Sequence, residues 1–232
     1  MTTSGTTAFN PDLTEIVEEA FERCGGELRT GYDLRTARRS LNLMFTDWAN
    51  RGVNMWTMEQ GQQILTPGTA TYNLPADTVD LLDHVIRTGA GNVSTQADLT
   101  ITRISEPTYA TIPNKLTQAR PIQIWIERLN TPRFTVWPVP DNTQQYILVY
   151  WRLKRIQDAG DGVNTMDMPF RFYNAMVAGL AYYMAMKVPG AVDRLQILKA
   201  QYDEAWDLAS GEDREKAAVR FVPRRMFIGS GV

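Results

Sequence analysis

One imidazole and one thiol, His84 and Cys24, would have to carry almost any metal or nucleophile chemistry in these 232 residues. A zinc or iron site of the usual His-rich kind needs more nitrogen ligands than the chain has. A Ser-His-Asp or Cys-His nucleophile would have to use His84, yet no nucleophile-elbow or oxidoreductase signature accompanies it. His84 follows Asp83 in a strand-like stretch and is expected to be a satisfied structural histidine. Cys24 falls on the apolar face of a predicted helix, where a buried structural thiol is expected rather than a reactive one. Gly25-Gly26 follows a helix rather than a strand, and no Gly-Lys-Ser or Gly-Lys-Thr occurs, so no phosphate loop is read. The paired acids Glu18-Glu19 and Glu212-Asp213 read as helix surface charges; a glycosidase needs two inward carboxylates across a cleft, which spacing alone does not show. The expectation is a non-enzyme with no catalytic, cofactor-binding or metal residues.

Composition fits that expectation. The length allows one domain or two small ones with a sizeable core and no staples. With 44% hydrophobic and 22% charged residues the composition is ordinary for a soluble globular protein. The net charge of −2 gives no argument for nucleic-acid binding. A lone cysteine excludes an intramolecular disulfide and suits a reducing cytosol. The start, MTTSGTTAFNP, lacks a basic segment and an apolar core, so no signal peptide is expected. No apolar run approaches the roughly 20 residues that span a bilayer.

The elements follow from periodicity. Residues 1–9 are expected to form a flexible arm. Asn10 is the expected N-cap of a first helix with Pro11 at its first position. Its stripe is Leu13, Ile16, Val17, Ala20, Phe21 and Cys24, and Gly25-Gly26 ends it. Asp33 is the expected cap of a second helix with the stripe Leu34, Ala37, Leu41, Met44, Phe45 and Trp48. Arg35, Arg38 and Arg39 lie on its other faces, and Gly52 stops it. From Gln62 to about Arg155 the period becomes two: 71–74, 123–128, 133–137 and 146–151 alternate as strands between Pro- and Asn-marked turns. Residues 105–112 can hold one short helical turn. Asp167 and Pro169 open a third helix with Phe170, Tyr173, Val177, Leu180 and Met184 inward, closed by Pro189-Gly190. A fourth carries Val192, Leu195, Leu198, Tyr202, Ala205, Trp206 and Ala209. The expected fold class is α+β: a bundle of N- and C-terminal helices (10–60 and 160–215) with an inserted small antiparallel β domain (61–158) and an extended C-terminal tail (216–232).

Two features exceed what a bland monomer needs. The tail, KAAVRFVPRRMFIGSGV, has four basic residues, no acid, and Phe221, Val222, Met226, Phe227 and Ile228. It could be a frayed end, but its alternation of Phe and Arg favours docking, because such residues are enriched at binding hot spots. The other is aromatic density: Trp48, Trp56, Trp125, Trp137 and Trp151, mostly expected in the core. Trp56, just past the helix stop, is a candidate contact to a tail component or a neighbouring subunit.

The order of segments LNLMFTDWANRGVNMW (41–56), ATYNLPADTVDLLDHVIR (70–87), the 103–115 block ending YATIPNK and the 120–142 block ending FTVWPVPDN resembles the head-to-tail adaptor proteins of tailed bacteriophages. These are the head-completion, or tail tubular protein A-like, connectors. The likeness spans roughly residues 10–210.

The resemblance implies a structural virion protein, a ring usually of twelve copies below the portal, joining capsid to tail and lining the DNA channel. Implied partners are the portal protein, a tail nozzle or tail tube protein, and further copies of itself. Genomic DNA would pass without specific binding, no membrane is involved, and the chain would be made in the host cytoplasm. By that analogy Arg220, Phe221, Arg224, Arg225 and Phe227 would be portal contacts. The alternative is a tail nozzle or tail-terminator subunit without direct portal contact. A virion-borne cell-wall hydrolase is a third, unexpected class.

Overall fold

Residues 3–7, 9–27, 31–52, 55–161 and 163–213 are described by the structure, a computed structural model. Helix α1 (Leu13–Cys24) starts later than Asn10 implies, because Asp12 and Glu15 form a reciprocal capping box. The Glu15 amide donates to Asp12 Oδ1 at 2.9 Å and the Asp12 amide to Glu15 Oε2 at 3.0 Å, satisfying two orphan donors at once. The expected stripe is the buried one, and Gly25 takes the left-handed cap at φ 81°. Helix α2 (Gly31–Arg51) begins two residues ahead of Asp33 and stops at Gly52, φ 73°.

The C-terminal helices correct two inward assignments. A 3₁₀ turn, Phe170–Phe172, precedes helix α4 (Tyr173–Ala185). Its tighter pitch turns Phe170 out, 78% exposed, and brings Phe172 in against Trp48, Trp56 and Trp206. A second 3₁₀ turn, Val192–Arg194, likewise leaves Val192 70% exposed before helix α5 (Leu195–Glu212). Helix α4 is apolar on nearly all sides because it is central, packing on α1, α2 and α5. Gly179 permits that closeness: a Cβ there would meet Tyr202 Cε2 at 2.8 Å and collide with Met44 Sδ. One apolar cluster gathers all four of these helices with Ala159, Met166 and Met168.

Strands β1 (Met58–Leu65), β2 (Thr71–Asn73), β3 (Thr78–Thr88) and β4 (Ala97–Thr100) precede β5 (Thr102–Ile104) and the short helix α3 (Glu106–Ala110). Then come β6 (Gln123–Glu127), β7 (Arg133–Trp137) and β8 (Tyr146–Lys154). They form two four-stranded sheets, β1-β8-β3-β4 and β2-β7-β6-β5. The β part begins at Met58, earlier than the sequence pattern placed it, since Met58–Gly61 shows no clean alternation yet pairs with β8 throughout. Nor is it wholly antiparallel. Strands β5 and β6 pair in parallel, as the long connection through α3 allows. Leu65, Leu81, Ile86, Leu148 and Tyr150 of one sheet share a second apolar cluster with Ile124, Ile126, Phe134 and Val136 of the other. Gly61 lies opposite Tyr150 and leaves room for its ring; a Cβ would sit 2.5 Å from Cε2. The class is therefore α+β, with five helices and two mostly antiparallel sheets among the described residues.

Candidate functional site

The thiol and the imidazole that could carry chemistry are both withdrawn from solvent, by different means. Cys24 Sγ donates to the Ala181 carbonyl at 2.9 Å, and burial pushes its thiol up to about 11, with Arg194 opposing weakly. It is a protonated link between α1 and α4, unsuited to attack as a thiolate. His84 stands opposite Tyr150 in the β3–β8 register. Burial lowers its pKa first and the Arg103 charge next, against Asp83, so the ring is neutral at neutral pH. Its Nδ1 is buried without a hydrogen-bond partner, so His84 is not the satisfied structural histidine that its place in the strand led us to expect. Among the described residues no group of three His, Cys, Asp or Glu side chains could hold a metal ion. The surface reading holds for Glu19, in an i,i+4 pair with Arg23. It fails for Asp213, whose side chain is fully buried and ion-paired to Arg171, because α5 ends against the turn before α4.

Charge instead fastens the fold. Arg152 of β8 sends Nη2 to Glu59 at 2.7 Å and Nη1 to Asp77 at 2.6 Å and Thr78 Oγ1 at 3.0 Å, joining three segments at one end of the first sheet. The same guanidinium holds Asp77 below the usual carboxylate range. Arg103 of β5 crosses between sheets to Asp80 Oδ1 at 3.0 Å and the Leu81 carbonyl at 3.1 Å. These interactions tie together segments that are distant in the chain.

Two surfaces stand out. Strand β8 is apolar on both faces: Tyr146, Leu148 and Tyr150 enter the inter-sheet cluster, while Ile147, Val149 and Trp151 point away from it; of these three Ile147 and Val149 are themselves buried and only Trp151 is exposed. Across that outer face Ile147 pairs with Ile64, itself 55% exposed. An outer sheet face normally alternates to polar residues; this one does not. The second surface is a groove floored by α4 between α1 and α5. Cavities of about 470 Å³ and 400 Å³ adjoin there, both bordered by Arg23 and Asn174. Exposed Leu208 (69%) and Phe9 (74%) stand at its two sides, Phe9 edge-on to Tyr173 at 6.3 Å.

Trp56 is half-buried. Its Nε1 donates to the Asp167 carbonyl at 3.1 Å, its ring packs 4.6 Å from Phe172, and it borders a cavity of about 420 Å³ with Asn10, Thr165 and Asp167. Arg220, Phe221, Arg224, Arg225 and Phe227 lie outside the described residues. Sequence reading missed the Arg152 cluster, whose partners are distant in the chain, and the outer face of β8. The unbroken run Tyr146–Trp151 was the available signal for the latter.

Among the described residues no helix is long and apolar enough to cross a membrane. No curated protein matches the chain. The family model described as SU10 adaptor protein matches residues 11–225, across the helices and both sheets alike. The chain belongs to this SU10 adaptor family, and with it to the structural head-to-tail adaptors of tailed phages.

Proposed function

We propose that copies of this chain form a ring below the portal, join the capsid to the tail, and surround the channel taken by genomic DNA. The observation that carries the reading is the extent of the family match, residues 11–225, which includes the helical cluster, both sheets and part of the basic tail. In this reading the helices (10–60 and 160–215) are a bundle packed side by side around the ring. The strands (61–158) are an insert facing tail components, 1–9 is an arm, and 216–232 reaches the portal. Arg220, Phe221, Arg224, Arg225 and Phe227 make the portal contact, and Trp56 meets a tail component or a neighbouring subunit.

Several observations favour binding geometry over catalysis as the mode of action. The thiol is bonded inside the fold to the Ala181 carbonyl, and burial keeps the imidazole neutral. A closed ring needs heterologous contacts, hence two different adhesive faces per subunit; the exposed Ile64 and Trp151 of the β1–β8 pair and the α1–α4–α5 groove are chemically suited to such a role. The net charge of −2 suits a channel, because each lysine- or arginine-phosphate contact adds affinity that would hold DNA back. The site of action is the virion neck, after assembly in the host cytoplasm.

Light scattering after size exclusion, with and without purified portal, tests this. A stoichiometric ring on the portal is expected. A persistent monomer that never joins portal rings refutes it. Removing Lys216–Val232 should give heads that leak DNA; sealed heads lacking distal parts would instead favour a tail subunit without portal contact.

A further inference from the structure

The groove between α1 and α5 carries more acid than its one cation balances, even with Glu15 engaged in the α1 capping box and Arg23 reaching Asn174 at 3.5 Å. Its walls carry Glu15 and Glu19 on α1 and Glu204 on α5, against one cation, Arg23. Glu19 is already paired with Arg23, whereas Glu204 has no ion-pair partner among the described residues. Between the carboxylates lie apolar surfaces, with Leu208 and Phe9 exposed. An apolar trough edged by acids fits an extended segment that is basic and aromatic.

Such a segment follows directly. Helix α5 ends at Glu212, and the Asp213–Arg171 pair fixes where the chain leaves it, beside the start of α4. Leu208 is one turn before that point. Beyond it lie Lys216, Arg220, Arg224 and Arg225, with Phe221, Val222, Met226, Phe227 and Ile228 among them and no acid from residue 216 onward. Reach is not limiting. Residues 213–226 can extend roughly 40 Å at about 3.3 Å per residue, while Gln201, an exposed residue lining the groove, lies roughly 17 Å back along α5 at about 1.5 Å per residue.

We propose that in the free subunit residues 216–228 fold back into the acidic α1–α4–α5 groove of the same chain, so that the portal must displace them. The docked tail covers Leu208 and Phe9 and places its basic residues beside Glu19 and Glu204. A tail parked in this way hides both an adhesive surface and the portal-binding element until they are needed. The proposal rests on the reading of the tail as the portal contact, and supplies the regulation of that contact.

The test is a disulfide trap in the full chain carrying Gln201→Cys and Met226→Cys, with Leu129→Cys and Met226→Cys as the control pair. Cys24 can stay, being buried and protonated. Under mild oxidation the groove pair should close within one chain about tenfold faster than the control, in line with the effective concentration of a docked segment. Added salt should slow closure, and Glu19→Lys and Glu204→Lys should each slow it by a factor of roughly 1.5 to 5, the scale of an exposed ion pair. Circular dichroism of each variant verifies folding. Equal rates for the two pairs, or a disulfide formed only between copies, overturns the proposal. Portal should suppress closure. If the trap closes and portal leaves its rate unchanged, the portal reading of the tail fails alone; if the trap stays open while portal captures the chain, the groove assignment fails alone.

Discussion

Trp48 Nε1 donates to the hydroxyl of Tyr202 at 2.7 Å, and both side chains are buried. The bond ties α2 to α5, helices separated by all eight strands, and burial raises the Tyr202 pKa. Tyr202→Phe leaves the indole N–H without its acceptor in the core. The expected loss is about 1–3 kcal/mol in urea denaturation. A double-mutant cycle with Trp48→Phe should return a coupling of about 0.5–3 kcal/mol; additive losses would mean that the bond contributes nothing.

Gly179→Ala should destabilise even though alanine favours helix by about 1 kcal/mol over glycine. The added methyl meets the Tyr202 ring at 2.8 Å and the Met44 sulfur closer still. Overpacking of this kind costs about 1–3 kcal/mol, so a net loss of about 1 kcal/mol is expected in the thermal or urea midpoint. A gain would show that α4 can shift away from α2 and α5.

Arg152 links stability to pH through Asp77. The Asp77 carboxyl titrates below its unfolded value in the native chain, so its contribution is present above about pH 4 and fades as the pH falls through the lower, folded value. Arg152→Met should remove that dependence and cost about 2 kcal/mol, less than the roughly 3–5 of a fully buried pair because Glu59 and Asp77 are about half exposed. Urea titrations from pH 3 to 7 check this; parallel curves for both proteins would exclude the link.

Cys24 should resist thiol reagents in the native state. With its pKa at about 11, the thiolate is scarce at pH 8, and the sulfur is buried besides. Labelling should quicken by orders of magnitude in denaturant. Equal native and denatured rates would show that α1 opens readily from α4.

Much of this architecture was legible in one sequence, for stated reasons. The α1 stripe from Leu13 to Cys24 is a sustained helical period with a glycine stop, and all of its members are buried. The alternation at 123–127 and 133–137 marks strands because one face of each enters the inter-sheet core. Caps and 3₁₀ turns were harder to read. Asp12 displaced Asn10 through its pairing with Glu15, and a single turn exchanged Phe170 for Phe172. Strand β5, three residues long, depends on its partner β6 rather than on any pattern of its own. The groove was invisible because the residues common to its two cavities, Arg23 on α1 and Asn174 on α4, are brought together only in three dimensions. Family membership was legible through segment order, which survives where individual contacts are not evident.

The central claim, that this chain works by joining portal to tail, is tested most directly by mixing purified portal rings with the full chain and with a chain ending at Asp213. Mass is then measured by light scattering. The account predicts a saturable, whole-ring increment of adaptor on portal for the full chain and a loss of most of that binding without residues 214–232. Equal binding by both chains, or none by either, would contradict it.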